Sequence, residues 1–370
     1  MAGEKRVALV PESIPKFKGF SIVVEKGAGD SAGYPDTAYS EKGASIVADA
    51  SALYSQSDII LKIQPPMPEE AALFREDSTL ISFLYPLSNI ESVKQLAARK
   101  ATVFAIELLP RISRSQSMDV LSSQANISGY KAVIMAANSL PKMFPLMMTA
   151  AGTISPAKVF VIGAGVAGLQ AIATAHRMGA VVEAYDVRPA VKEQISSLGA
   201  KFVELPVEAK DAQTAGGYAK AQSEDFYKKQ QELLADHAKQ SDIVITTALV
   251  PGKKAPILVS EEAVKGMRPG SVIVDLASEQ GGNCALTAPG KTVVKYGVTI
   301  HGMLNVPSSM APQSSQLFSR NLVSFMGVMV KDGNLSIDPK DEIVRGTLVM
   351  NKGEILHEAT KNAVAGGSSQ

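Results

Sequence analysis

An α/β fold of two doubly wound parallel-sheet domains, with a cleft between them, is what this sequence predicts. Three observations carry the prediction. Short β-rich runs alternate with helix-length segments along most of the 370 residues, the rhythm of parallel-sheet architecture. A glycine-rich turn at residues 163–168 follows one of these runs and opens an alanine-rich segment. The length suits two or three domains at roughly 150 residues each, with room for real cores.

Early in the chain the candidate strands are residues 21–25, 58–63, 79–84 and 102–106. The clusters KGAG, QPP and YP follow the first three, supplying the turn chemistry that carries a chain from strand into helix. A second set, 159–162, 181–185, 242–246, 271–275 and 298–301, is more compact and apolar, with helical patterns between most of its members. That is the doubly wound rhythm. A run at 202–205 precedes a long polar segment, 209–225, and a helix is expected from near Glu224. Residues 316–330 read as a helix. The apolar run 344–350, the turn Asn351-Lys352-Gly353 and residues 354–356 read as a hairpin. The expected division is one domain over 122–311 and a discontinuous one built from 1–121 and 312–370, the cleft between them being the default ligand site.

Composition excludes several function classes. Lys and Arg number 37 against 36 Asp and Glu, a net charge of +1 that leaves no electrostatic footprint for nucleic acid. The single cysteine, Cys284, cannot form an internal disulfide. His176, His237, His301 and His357 stand apart, without metal-ligand spacing, so no metal is expected. The opening MAGEKRVALVPE places charges where a secretory core would sit. The most apolar stretches fall short of the ~20 residues of a membrane span. A soluble chain is expected.

The most informative segment is VFVIGAGVAGLQAIATAHRMGAVVEAYDVRP, with Gly163-x-Gly165-x-x-Gly168. The spacing alone is weak. Here it follows an apolar strand and opens a helix, and a second strand ends at Asp186, 18 residues after Gly168. Gly163 allows the tight turn, Gly165 lets backbone approach a pyrophosphate, and Gly168 permits close helix–strand packing. The helix N-terminus offers N–H groups to the phosphates. Residues 122–311 are therefore expected to form a Rossmann-like, dinucleotide-binding domain. Asp186 would accept the adenosine ribose hydroxyls and disfavour a 2′-phosphate, pointing to NAD(H); Arg188 leaves room for the opposite reading, because an arginine can accommodate that phosphate. A tight turn without a ligand is the plain alternative.

Two polar segments stand out besides. AKDAQTAGGYAKAQSED (209–225) has a Gly216-Gly217 hinge followed by Tyr218, suited to a lid over a bound nucleotide, though an unstructured insertion also fits. In residues 110–126, Arg111, Gln116, Asp119 and Ser122 could hold a carboxamide and ribose by donor and acceptor pairs. A solvated connector ending in a helix cap fits that stretch at least as well.

Together these segments resemble the NAD(H)-binding component (domain I, alpha subunit) of proton-translocating NAD(P) transhydrogenase, in the alanine dehydrogenase/transhydrogenase family. The resemblance covers nearly the whole chain and includes RVALVPE (6–12), LPRISRSQSMDVLSSQANISGYKAV (109–133), VIGAGVAGLQAI (161–172), DVRP (186–189), GGYAK (216–220), TTALVPGKKAP (246–256), GSVIVDLASEQGGN (270–283) and VRGTLVM (344–350). It implies that Arg111, Gln116 and Asp119 act catalytically at the nicotinamide end, with Ser122 just beyond. It further implies that Val166 and Asp186, Val187 and Arg188 line the adenosine half. Gly217 and Tyr218 match a mobile loop, Gln230 follows on the next helix, and Leu249 packs against the adenine.

Departures from the family pattern separate its two branches. Alanine dehydrogenases carry a lysine and a histidine, which bind the substrate carboxylate and move a proton, where this chain has Gln64 and Tyr85; their aspartate is Glu279 here, and Arg6 is kept. Glutamine cannot act as a general acid, and a phenol with pKa near 10 is a poor base at neutral pH. Exchange of hydride between two nicotinamides needs neither. The resemblance thus implies a Si-Re specific transhydrogenase component that binds NAD(H). Its partners would be an NADP(H)-binding subunit and a membrane-spanning proton-channel subunit. It would form a homodimer, cytoplasmic and peripheral at the inner membrane face. An NAD-dependent alanine or amino-acid dehydrogenase is the alternative, and a non-catalytic NAD-responsive module is a third. The family's usual opening strand, of the kind I-G-I-P-K-E, has no counterpart before Arg6, so the first lobe is expected to lack one strand.

Overall fold

The computed structural model describes residues 3–205, 223–249, 254–331 and 333–366. The chain forms two compact units, one from residues 1–124 and 308–370, the other from 125–307.

The first unit opens with a two-stranded parallel sheet, Val23–Glu25 against Ser45–Val47. Its main sheet begins with the parallel strands β1 (Ile59–Leu61), β2 (Thr79–Ser82) and β3 (Thr102–Ala105). All four residues of β2 and of β3 are buried, which is why they read as continuous runs rather than as an alternating pattern. Helix α1 (Val120–Ser139) then carries the chain into the second unit.

There β4 (Lys158–Ile162), helix α2 (Val166–Arg177), β5 (Val181–Tyr185), β6 (Lys201–Phe202), helix α3 (Glu224–Gln240), β7 (Ile243–Thr246), β8 (Val272–Asp275), β9 (Thr292–Lys295) and β10 (Val298–Gly302) follow. The sheet order is β6-β5-β4-β7-β8-β10-β9, with β9 alone antiparallel. Without β9 this is the Rossmann order, and its switch point lies between β4 and β7. Successive strand residues face opposite sides. Val159 and Val161 pack with Ala171 and Ile172 of α2, while Phe160 and Ile162 pack with Leu234 and Ala238 of α3. Cys284 is buried in the second of these cores.

On its return to the first unit the chain forms α4 (Ala311–Met329), α5 (Glu342–Thr347), β11 (Leu348–Asn351) and β12 (Glu354–Ile355). The five-stranded order is β12-β11-β3-β2-β1, with β11 antiparallel to β3 and β12 antiparallel to β11. Phe318, Leu322, Phe325 and Met329 of α4 are buried in the core that includes Ile81 and Phe104. No helix among the described residues is long and apolar enough to cross a membrane.

Two sequence expectations change. The run 344–350 was expected to be wholly strand, but its first half is helical, because Asp341 caps α5 by accepting the N–H groups of Ile343 and Val344. The 21–25 strand lies outside the main sheet, paired with the unanticipated Ser45–Val47. Residues 4–10 form no strand. Instead Lys5, Val7 and Val10 donate their N–H groups to the hydroxyls of Ser308, Ser315 and Ser319.

Candidate nucleotide site

β4 ends at Ile162 and α2 starts at Val166, so the chain turns within Gly163-Ala164-Gly165. Gly163 has φ +99° and donates its N–H to the Tyr185 carbonyl at 2.8 Å; few side-chain-bearing residues tolerate that conformation. A Cβ on Gly168 would lie 1.8 Å from the Gly163 carbonyl oxygen, so the first turn of α2 packs directly on the loop it came from. Gly165 differs. A Cβ there would meet nothing within 4 Å, the residue is the N-cap of α2, and no side chain caps the helix. Val166 is 41% exposed beside it. Open space thus faces uncapped backbone N–H groups and the positive end of the helix dipole, which fits a pyrophosphate.

Asp186 directly follows β5 and is buried. Its Oδ2 accepts from the Ala164 N–H and from Arg188 Nη2, both at 2.8 Å. Its Oδ1 accepts from the Arg188 N–H and Nε, both at 2.9 Å. These hydrogen bonds hold the Arg188 guanidinium above its ordinary pKa. A carboxylate offers about four lone-pair sites, and here they are filled. The sequence reading assigned Asp186 to ribose and left Arg188 open; the structure pairs them with each other. Val187 between them is partly exposed.

Beside the glycine turn runs the segment after β7. Thr247 Oγ1 donates to the Gly163 carbonyl at 3.0 Å. Asn283, fully buried, holds both ends of residues 248–256: its Oδ1 accepts from the Ala248 N–H at 3.0 Å. Its Nδ2 donates to the carbonyls of Ala248 (2.9 Å) and Pro256 (2.8 Å). Leu249 is left 39% exposed. Asp275, at the end of β8, anchors Asn283 in turn, accepting its N–H at 2.8 Å and that of Cys284 at 3.0 Å on Oδ2. Sequence reasoning missed Thr247, Asp275 and Asn283. The available signal was a polar residue at or just past a strand's C-terminal end.

The remaining expected residues fall as follows. Gln230 is buried and donates to the Tyr185 hydroxyl at 2.9 Å, so its amide is engaged within the fold. Gly217 and Tyr218 lie outside the described residues.

In the first unit, Asp119 and Ser122 prove to be the two halves of a helix cap. Asp119 Oδ1 accepts the Ser122 N–H at 2.9 Å and Oδ2 accepts its hydroxyl at 2.5 Å, at the start of α1. The loop before them is braced internally. Ser115 donates to the carbonyls of Pro110 and Ile112, and Asn321 of α4 donates to the Ser117 carbonyl. Arg111 and Gln116 are exposed on this braced loop.

Gln64 and Tyr85, at the positions expected to separate the family's two branches, are also bonded groups. Glu4 receives Arg6 Nε and Nη2 at 2.9 and 2.7 Å and Gln64 Nε2 at 2.8 Å, while Arg6 Nη1 reaches Gln124 at 2.8 Å. Burial pushes the Glu4 carboxyl up, but Arg6 and Gln64 outweigh it and hold it at about 2. Tyr85 sits at φ +45°, its N–H donated to Glu107 Oε1 at 2.5 Å and its ring stacked on Phe83 with centroids 5.5 Å apart.

Two descriptions of one family match the chain: "Alanine dehydrogenase/PNT, N-terminal domain" over residues 1–128 and "Alanine dehydrogenase/PNT, C-terminal domain" over residues 132–358. The chain belongs to the alanine dehydrogenase/PNT family. Within it, the chain is 52% identical over 367 residues to an NAD(P) transhydrogenase subunit alpha chain of Rhodospirillum rubrum, covering 96% of each. The crystal structure of transhydrogenase from Sinorhizobium meliloti is similar with a TM-score of 0.87 at 46% identity, covering 96% of this chain and 97% of that one. The alanine dehydrogenase of Bacillus subtilis stands further off, at 27% identity over 96% of this chain and 90% of its own. The close relatives are transhydrogenase alpha subunits, and alanine dehydrogenases are distant ones.

Proposed function

We propose that this chain is the NAD(H)-binding component of a proton-translocating, Si-Re specific NAD(P) transhydrogenase, passing hydride directly to or from NADP(H) on a partner subunit. The observation that carries the reading is the 52% identity to the Rhodospirillum rubrum subunit across 96% of both chains. Gln64 and Tyr85 support it, since a bonded amide and a phenol replace the groups that amino-acid oxidation requires.

The bound dinucleotide supplies the hydride, and the residues of this chain hold and aim it. The N-terminus of α2 and Gly165 take the pyrophosphate, and Val166 and Leu249 flank the adenosine. Asp186 takes the ribose hydroxyls and repels a 2′-phosphate, which selects NAD(H). Arg111 and Gln116 present donors to the nicotinamide end from a loop that cannot sag, because Ser115 and Asn321 brace it. Asp119 and Ser122 fix where that loop meets α1. Gln230 stands behind the adenosine half.

A homodimer is included in the proposal. The hairpin Met147–Thr149 with Gly152–Ile154 exposes Met148 by 82%, with Leu146 beside it at 57%, apolar area of the kind that a second copy covers. Separate subunits would provide the NADP(H) site and the membrane channel, placing this chain at the cytoplasmic membrane face.

The test is NADH oxidation by the purified chain with two acceptors. One is pyruvate plus ammonium, the other an NADP+-loaded partner domain of a transhydrogenase. Oxidation with the partner domain alone is expected. Oxidation with pyruvate and ammonium would establish the dehydrogenase reading instead.

A further inference from the structure

We propose that Arg188 sets nucleotide specificity by competing in cis for Asp186: its guanidinium occupies the carboxylate oxygens that a ribose must reach, and the same pairing denies a 2′-phosphate its cation. The inference rests on the nucleotide reading above and adds to it a role for the residue that the fingerprint leaves ambiguous.

The donors on Asp186 divide into two kinds. The N–H groups of Ala164 and Arg188 are backbone, fixed by the glycine turn and the chain after β5. Nε and Nη2 of Arg188 belong to a side chain that can rotate away. A ribose hydroxyl that donates to Asp186 must displace a donor already there, and the guanidinium alone can leave without moving the backbone. Nucleotide binding at this corner is then an exchange, a bidentate ion pair given up for neutral hydrogen bonds. A charged donor is held about twice as strongly as a neutral one, so the exchange taxes affinity for every ligand that carries the adenosine ribose. It spares ligands that lack it.

The pair also accounts for selectivity. An unpaired arginine two residues past the second strand would offer a 2′-phosphate a fork of donors. A ribose that carries a 2′-phosphate has no 2′-hydroxyl to donate to Asp186, so it displaces the guanidinium less readily. Still held there, with its side chain only 17% exposed, the arginine offers the phosphate little, and the carboxylate beside it adds repulsion. The two residues therefore act as a unit: removing the arginine should sharpen the preference for NAD(H), and removing the carboxylate should release the arginine to a phosphate.

Calorimetric dissociation constants for NADH, ADP, NADPH and reduced nicotinamide mononucleotide, measured on the full chain, test the proposal. Arg188→Met keeps the apolar stem without its donors. It should tighten NADH and ADP by about tenfold, as removal of a competing internal state does, and leave the mononucleotide unchanged. Asp186→Asn should weaken NADH and bring NADPH into the measurable range. If Arg188→Met leaves NADH unchanged or weakens it, the exchange is refuted although the site stands. If the unmodified chain binds neither NADH nor ADP, the nucleotide reading falls, and this proposal with it.

Discussion

Two alanine substitutions three residues apart should behave in opposite ways, and the contrast tests whether the glycine turn is a binding surface or only a tight corner. At Gly165 the backbone lies at φ −73° and ψ −171°, a conformation any residue adopts, and an added Cβ meets nothing within 4 Å. Alanine is a poorer N-cap than glycine but restricts the unfolded chain, so the two effects offset to within about 1 kcal/mol. Gly165→Ala should unfold in urea close to the unmodified protein. The methyl group, however, stands where a pyrophosphate would meet the helix N-terminus. Pushing the phosphates off those N–H groups forfeits charge-assisted bonds of about 1.5–3 kcal/mol each, a loss of roughly a hundredfold in NADH affinity for one or two of them. At Gly168 the Cβ would lie 1.8 Å from the Gly163 carbonyl oxygen, so the helix and the turn must separate by more than an ångström. That overpacking should cost about 3 kcal/mol, a large fraction of the ~5–15 kcal/mol that holds a protein folded. Urea unfolding and NADH calorimetry on both variants decide the matter. A Gly165→Ala protein that is stable and binds NADH normally would refute the reasoning.

Further predictions follow from the ionisable groups and caps. Because Glu4 titrates at about 2 rather than at 4.5 in the folded chain, it adds stability above pH 4.5 that is lost as pH falls toward 2. The gap in unfolding free energy between the unmodified protein and Glu4→Gln should shrink across that window, by about 2 kcal/mol after allowing for solvent screening. Glu107 has the opposite sign: burial raises its carboxyl, so its contribution is full below pH 4.5 and fades as pH rises through the raised value. Glu107→Gln keeps an acceptor for Leu84 and Tyr85 and should lack that decline in pH-dependent unfolding. Asp119→Ala removes the cap at the start of α1 and should cost about 1 kcal/mol in urea unfolding.

The features of the fold legible in the sequence are those whose cause is local. The strands β4, β5, β7, β8 and β10 appear as compact apolar runs because both faces of a parallel sheet are covered. The turn at 163–168 is readable because φ +99° at Gly163 and the contact at Gly168 each demand glycine. The strand Ser45–Val47 was not readable: it is short, partly exposed and exists because Val23–Glu25 lies beside it. The strand expected over 344–350 failed for a related reason, since apolar content does not distinguish helix from strand where a capping side chain decides.

For the site, the residue types at Gly163, Gly165, Gly168 and Asp186 followed from chain order alone, because a strand, a tight turn and a helix are consecutive in sequence. Which donor each acceptor takes did not follow. Asp186 sits two residues from Arg188 and 22 from Ala164, and Asn283 reaches Ala248 and Pro256 across 35 and 27 residues. Such pairings depend on which groups the finished sheet places within about 3 Å. Local pattern determined the fold class, the turn and the neighbourhood of Asp186 and Arg188; tertiary packing decided that the carboxylate expected to take ribose also accepts the Ala164 N–H from the glycine turn 22 residues away, and that Asn283 ties Ala248 to Pro256.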